Sequence, residues 1–312
     1  MGKRFDVLVA GLQCLDMGVI PVDRGILDRQ ITRVEQIQMS PGGDAVNQAA
    51  TLSLLGAKTC LMGAVGTDPL SDTLLGALRR YPMTVLDRRI DAAAAASVVL
   101  TDSDGERHFL FQPGANERLA YEDLEESALR DASVVSVAGA MALPGLDGAG
   151  MLRLLETAKR AGAETAMDFR MLRRQFDKDA LHEAIRLTDY LLPSEEEASW
   201  LTGEKEDPAK MAQGLRSLGA KNCVVKLGGR GCYVSCGGTE GYYGPYPCRC
   251  VDTTGAGDTF VGAFLYGLTR GWGAGECARF ANAAGSLAVE QTGANGAVRS
   301  EAQVFDRMKE NS

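Results

Sequence analysis

Five short apolar segments, each nearly uninterrupted, recur along the chain: Phe5–Gly11, Val134–Ala138, Glu164–Asp168, Tyr190–Leu192 and Asn222–Leu227. A half-exposed strand alternates apolar and polar residues, and these segments do not, so they read as strands buried on both faces. Between them lie stretches of helical periodicity: Ala45–Leu55, Ser71–Arg80, Gly148–Ala161, Ala180–Leu187 and Ala209–Leu218. Two more, Asp258–Arg270 and Glu276–Glu290, make the last third helical. Strands that alternate with helices predict the α/β class: a doubly wound, mostly parallel sheet with helices on both faces. The 37 glycines suit the many tight strand-to-helix turns this requires.

Two segments break the rhythm, at about residues 16–40 and 92–116. The first carries short alternating runs around a polar loop. The second reads as a hairpin, Ala95–Thr101 and His108–Gln112, with Asp104-Gly105 in its turn. Together these strands are expected to form a small separate sheet; the plainer alternative is a pair of surface hairpins.

At 312 residues and 33.2 kDa the chain can build its own core without disulfides or a structural metal. A net charge of −8 and a pI near 5.0 exclude the basic field of a nucleic-acid-binding protein. The opening apolar run is too short for a secretory signal, and no run reaches the 18 or so residues of a membrane helix. A cytoplasmic location, no membrane partner and reduced cysteines are expected. Cys232/Cys236 and Cys248/Cys250 lack zinc-site spacing, and His108 and His182 are far off.

The chemistry concentrates in two places. Asp252-Thr-Thr254-Gly255-Ala256-Gly257-Asp258 runs straight into a helical pattern. Glycines at a helix start leave unpaired N–H groups open to an anion. Asp258 is then either an N-cap or a base for a hydroxyl that attacks a phosphate. Ser40-Pro-Gly42-Gly43-Asp44-Ala-Val-Asn47 also opens a helix; the Gly42-Gly43 pair permits close ligand approach and Asn47 can donate and accept to sugar hydroxyls, or it is an ordinary helix entry. No GxxxxGK[ST] loop and no GxGxxG after the first strand occur, so any nucleotide chemistry uses another cradle. Asp168 and Arg170 follow a strand at the edge where α/β sheets bind ligands; Arg107 and Arg173 are further candidates for a substrate carboxylate, or surface charges.

These motifs, in this order, resemble the ribokinase/PfkB family of sugar kinases. Leu192-Pro-Ser194-Glu-Glu-Glu197, Val225-Lys226-Leu-Gly228-Gly-Arg-Gly231 and Arg279-Phe-Ala-Asn282 extend the likeness almost end to end. The resemblance implies one kinase domain over 1–312 with a small β lid, transferring the γ-phosphate of ATP to a hydroxyl of a keto sugar or sugar acid. It implies Asp258 as base and Gly255, Ala256 and Gly257 as anion hole. Asp16, Gly43 and Asn47 would hold the sugar, with Arg107 and Asp168 beside it. Glu197 would order magnesium waters, and Lys226, Gly228, Gly231 and Asn282 would lie at the nucleotide. Potassium is expected at Asp252 and Thr254 with carbonyls near Ala288, Gln291 and Gly293. A homodimer through the lid is expected, packed on Ile20, Val22, Ile37 and Met39.

Several positions depart from ribokinase: Cys14 for asparagine, Asp44 for lysine, Ser194 for asparagine, and no ribose-binding glutamate in Ala138–Pro144. They argue against ribose itself. A nucleoside kinase of the same fold and a silent sugar-binding regulator are the alternatives; an intact Asp258 and Gly-Ala-Gly turn speak against the latter.

Overall fold

The computed structural model describes residues 2–103, 106–170 and 177–310. Asp104-Gly105 and Arg173 lie outside the described residues. In chain order the strands are β1 (Phe5–Gly11), β2 (Cys14–Val22), β3 (Gln36–Gly42), β4 (Thr59–Met62), β5 (Ala64–Val65), β6 (Thr84–Val85), β7 (Arg88–Arg89), β8 (Ala96–Asp102), β9 (Arg107–Gln112), β10 (Ala132–Ala140), β11 (Glu164–Phe169), β12 (Tyr190–Leu191), β13 (Asn222–Lys226), β14 (Cys232–Cys236) and β15 (Thr239–Tyr243). The helices are α1 (Asp44–Leu55), α2 (Pro69–Leu78), α3 (Glu126–Arg130), α4 (Ala149–Arg160), α5 (Lys178–Leu187), α6 (Glu195–Thr202), α7 (Pro208–Ser217), α8 (Ala256–Thr269), α9 (Ala274–Ala288) and α10 (Glu301–Lys309).

The main sheet has nine strands in the order β15-β14-β13-β12-β11-β10-β1-β4-β6. All pairs are parallel except those on either side of β14. Each of the five apolar segments lies on one of its strands, and both faces are covered as expected. Along β1, Leu8 and Ala10 pack with α4, α5 and α7, while Val7 and Val9 pack with α1, α8 and α9. That two-sided burial is why the run carries no polar alternation. The antiparallel hairpin β14–β15 was not anticipated from periodicity. Its turn is Gly237-Gly238, both with φ in the left-handed region (53° and 87°), a pair that does mark a hairpin in sequence.

From β1 the chain moves outward to β4 and β6, then returns to β10 on the other side of β1. The sheet order therefore reverses between β1 and β10, and a crevice opens at their carboxyl ends. β1 ends at Gly11 because the β10 backbone passes there: a Cβ would stand 2.0 Å from the Ala138 carbonyl oxygen.

The second sheet is separate and four-stranded, in the order β3-β2-β8-β9. It is more than two hairpins, because β2 pairs with β3 on one side and with β8, in parallel, on the other. β2 leaves the end of β1 and β3 runs into α1, so both feed directly into the crevice. Asp16, Ser97 and Phe111 share a register row, and all three line a cavity beneath the sheet. The alternate positions Met17, Val19, Met39, Ile37 and Leu110 share the outer face. Ile20 was expected there, but it falls in register with the Asp16 face, and Val22 is buried. Among the described residues no helix is long and apolar enough to cross a membrane.

Helices α1 and α8 pack closely through Gly262, where a Cβ would lie 2.9 Å from the Gln48 carbonyl oxygen and 3.0 Å from Thr51 Cβ. Alanine would gain about 0.5–1 kcal/mol in helix propensity. Against that, it would push backbone on backbone, and overpacking of this kind costs about 1–3 kcal/mol. Gly262→Ala is therefore expected to lower stability in urea unfolding; a variant more stable than the wild type would show that the helices have slack.

Candidate active site

Helices α1 and α8 both start on a glycine in the left-handed region. Gly43 caps α1 at φ 93°, and Gly255 caps α8 at φ 72°. Neither position has room for a side chain: a Cβ at Gly43 would lie 2.6 Å from the Leu12 carbonyl oxygen, and one at Gly255 would lie 2.1 Å from that of Ala294. No capping side chain covers the start of α8; the Ala256 N–H donates to the Thr253 carbonyl at 3.3 Å, and the Gly257 N–H and the helix dipole face the crevice.

Asp258 is the third residue of α8, and Gly255 holds the N-cap position. The N-cap reading of Asp258 is thereby corrected. Its Oδ2 instead accepts from Asn47 Nδ2 at 2.8 Å, which ties α8 to α1. Burial pushes the Asp258 carboxyl well above the usual range, and the nearby charges of Asp44 and Asp168 push it further; the Asn47 bond and the Lys226 ammonium pull part of this back.

A cleft of about 430 Å³ lies to one side of Asp258 and a smaller cavity of about 90 Å³ to the other. Asp44, Arg170, Gly255 and Asp258 line both. The larger cleft collects Glu197, Lys226, Gly228, Gly231 and Asn282, along with Ala256 and Gly257. Glu197 and Ser194 form a reciprocal capping box on α6: Ser194 N–H donates to Glu197 Oε2 at 2.7 Å, and Glu197 N–H to Ser194 Oγ at 3.3 Å. Lys226 Nζ donates to Asp168 Oδ1 at 2.6 Å, and Gln48 Nε2 to Asp168 Oδ2 at 3.2 Å. Burial raises the Asp168 carboxyl, and the Lys226 charge offsets part of the rise. Asp168 thus lines the cleft and not the smaller cavity. Asn282 uses its amide to hold the backbone, donating to the Tyr243 and Gly244 carbonyls at 3.0 Å each.

The smaller cavity brings together Cys14, Asp16, Gly43, Asn47, Phe109 and Phe111. Cys14 Sγ–H donates to Asp16 Oδ1 at 3.1 Å. Burial raises Asp16, while the Cys14 bond and the Arg170 charge oppose the rise. Gly42, the first of the glycine pair, makes room for this carboxylate: a Cβ there would lie 1.9 Å from Asp16 Oδ2. Asn295 was also missed; its Nδ2 donates to Asn47 Oδ1 at 3.1 Å and to the Pro41 carbonyl at 2.6 Å. Arg170, 47% exposed, donates to Asp44 Oδ1 at 2.9 Å and spans the boundary between the two cavities.

Arg107 lines neither. Its guanidinium donates to Asp252 Oδ1 at 2.5 Å and to Thr253 Oγ1 at 3.4 Å. Asp252 Oδ1 also accepts from Thr254 N–H at 2.7 Å, and Oδ2 from Gly293 N–H at 2.9 Å. This donor set does not suit the expected potassium ion. A cationic side chain already sits on the carboxylate, and Gly293 donates its N–H to the other carboxylate oxygen. Ala288 is the buried last residue of α9, and Gln291 is exposed beyond it.

The family model described as "pfkB family carbohydrate kinase" matches residues 6–301. The protein named "Probable fructokinase-4" of Arabidopsis thaliana is 30% identical over 288 residues, covering 87% of this chain and 88% of that protein. Among solved structures, Arabidopsis thaliana ribokinase complexed with ribose and ATP has a TM-score of 0.81 at 27% identity, covering 99% of each chain. Ribokinase from Thermotoga maritima has a TM-score of 0.85 at 24% identity, covering 98% of this chain and 99% of that one, a likeness of fold.

A carboxyl whose folded pKa lies above its unfolded value contributes stability below the unfolded value and loses it as pH rises through the folded one. Asp258 is raised in this way. Asp258→Asn keeps an acceptor for Asn47 without the buried charge. It should melt higher than the wild type at pH 8, with the gain shrinking toward pH 4. Equal melting temperatures at pH 8 would mean that the carboxylate is not under electrostatic load.

Proposed function

Because the chain belongs to the pfkB family of carbohydrate kinases, and is thus an ATP-dependent carbohydrate kinase, we propose that it phosphorylates a hydroxyl of a keto sugar, with Asp258 as base. The observation that carries this is the position of Asp258 on the boundary shared by the two cavities. A phosphoryl donor fits the larger cleft and a hydroxyl acceptor the smaller one. A base between them meets the hydroxyl as it attacks. In that step the sugar oxygen bonds to the γ-phosphorus, the bond to the β,γ-bridging oxygen breaks with its electron pair passing to ADP, and the proton goes to the Asp258 carboxylate. The raised affinity of Asp258 for a proton favours that acceptance. The N–H groups at Gly255–Gly257 face the charge that develops on the transferring group. Lys226 Nζ lies 3.7 Å from where a Gly257 Cβ would be, which adds a cation beside the same turn.

Magnesium fits the Glu197 carboxylate, which lines the larger cleft; Asp168 beside it is already matched by Lys226. When bound it would neutralise part of the phosphate charge.

The preference for a keto sugar rests on the acceptor cavity. Asp16 and Asn47 offer paired contacts to hydroxyls. Arg170 is already matched by Asp44, so a neutral ligand leaves no arginine unpaired. The likeness to a fructokinase points the same way. A sugar acid is the second reading, favoured by the half-exposed guanidinium of Arg170 at the cavity wall. ADP release should be measured across ketoses, sugar acids, aldoses and nucleosides. A ketose is expected to give the highest kcat/KM, and Asp258→Asn should lower kcat at least about 10²-fold. Selectivity for an acid over its neutral analogue, lost in Arg170→Ala, would replace the first reading with the second.

The exposed outer face of the small sheet supports a homodimer. Ile37 is 66% exposed, Met39 52% and Leu110 61%, and the three share that face with Met17 and Val19. An apolar patch of this kind on a two-edged sheet is the type of surface that a second copy covers. Light scattering at micromolar concentration should give twice the monomer mass, and Ile37→Lys should reduce it to one chain. A monomeric wild type would refute the dimer.

A further inference from the structure

Asp252 opens the turn that leads to the anion-binding end of α8, and it is only 8% exposed. A buried carboxylate without a counter-charge is strongly destabilising, so something cationic must stand on it. In this chain that cation comes from 145 residues away, on β9. Arg107 and Asp252 have side chains 19% and 10% exposed, so water screens the pair poorly. Both carboxylate oxygens of Asp252 are engaged. Oδ1 takes Arg107 and the Thr254 N–H, and Oδ2 takes the Gly293 N–H. These contacts fix both walls of the anion turn. Thr254 precedes Gly255, and the segment after Gly293 carries the Ala294 carbonyl against which Gly255 packs.

A guanidinium is protonated at any working pH, so the charge on Asp252 is matched without a metal ion. A monovalent ion on the same carboxylate would sit within a few ångströms of that guanidinium and be repelled by it. Arg107 is also placed to report on the sugar cavity. It belongs to the strand whose Phe109 and Phe111 form the cavity wall, on the same face at alternate positions.

We propose that Arg107 is the resident cation of the anion turn: a positioning residue that acts through Asp252, replaces a monovalent metal ion and joins the turn to the small sheet over the sugar cavity. The rate measurement below rests on the kinase reading; the stability measurement does not.

The test compares KCl, NaCl and choline chloride at equal ionic strength. Wild-type ADP release should agree within about twofold across the three salts, and the melting temperature should not differ between KCl and choline chloride. Arg107→Met should lower kcat by about tenfold or more. Its activity should then rise with added potassium or methylguanidinium, and its melting temperature should become higher in KCl than in choline chloride. Arg107→Lys should retain most of the wild-type rate. Severalfold activation of the wild type by potassium, or a wild-type melting temperature raised specifically by KCl, would overturn the proposal. So would an Arg107→Met enzyme with unchanged kcat, or one whose loss no cation restores. If no sugar is turned over, the two melting comparisons still decide whether Arg107 stands in for the ion.

Discussion

The contact between Asn47 and Asp258 is the point on which the rest of the structure depends. It joins the first turns of α1 and α8, which come from opposite ends of the chain. It also holds a carboxylate where burial and two other carboxylates oppose its charge. Left alone, such a group would take up a proton or swing toward water. The Asn47 amide and the nearby Lys226 ammonium pull the other way, and so does the positive end of α8. A carboxylate under this load has a raised tendency to accept a proton, and that tendency is lost if the two helices separate.

The fold keeps them together by removing side chains. Gly11 lets β1 pass the β10 carbonyl, Gly262 lets α8 lie on α1, and Gly255 lets the anion turn rest on Ala294. At each place a Cβ would come within 3 Å of backbone, so the fit is set by main chain against main chain and has little freedom to adjust. The reversal of sheet order between β1 and β10 then leaves a crevice at the one place where both helix starts can be reached.

What was legible in sequence is what is encoded locally. The double-sided strands announced themselves through uninterrupted apolar runs, and both helix starts through glycine followed by a carboxylate or an amide. Thr59–Met62 is too short for periodicity to define a strand, whereas Tyr190–Leu191, though shorter still, was read as one from its apolar run. Charge partners were not legible. Arg107 reads as one of several basic residues until the tertiary fold sets it on Asp252, and Arg170 pairs with Asp44 from 126 residues away. No spacing rule links such positions. Asn295 shows the same limit: its two contacts, to Asn47 and Pro41, exist only because the turn after α9 reaches the start of α1.

In the proposed reaction, the charges around the two cavities decide how phosphate is held. Asp16, Asp44, Asp168, Glu197 and Asp258 stand against Arg170 and Lys226. Both cations are already bound, Arg170 to Asp44 and Lys226 to Asp168. A polyphosphate entering the larger cleft therefore meets no free positive side chain there among the described residues. What stands open to it is the backbone N–H of Gly255 and of Gly257, that of Ala256 being taken by the Thr253 carbonyl. Backbone N–H groups are neutral and fixed in direction, so they reward an anion by where it sits more than by how much charge it carries. In a chain of net charge −8, the proposed reaction would then hold the transferring group at one point on the helix axis, beside the Asp258 carboxylate proposed as base.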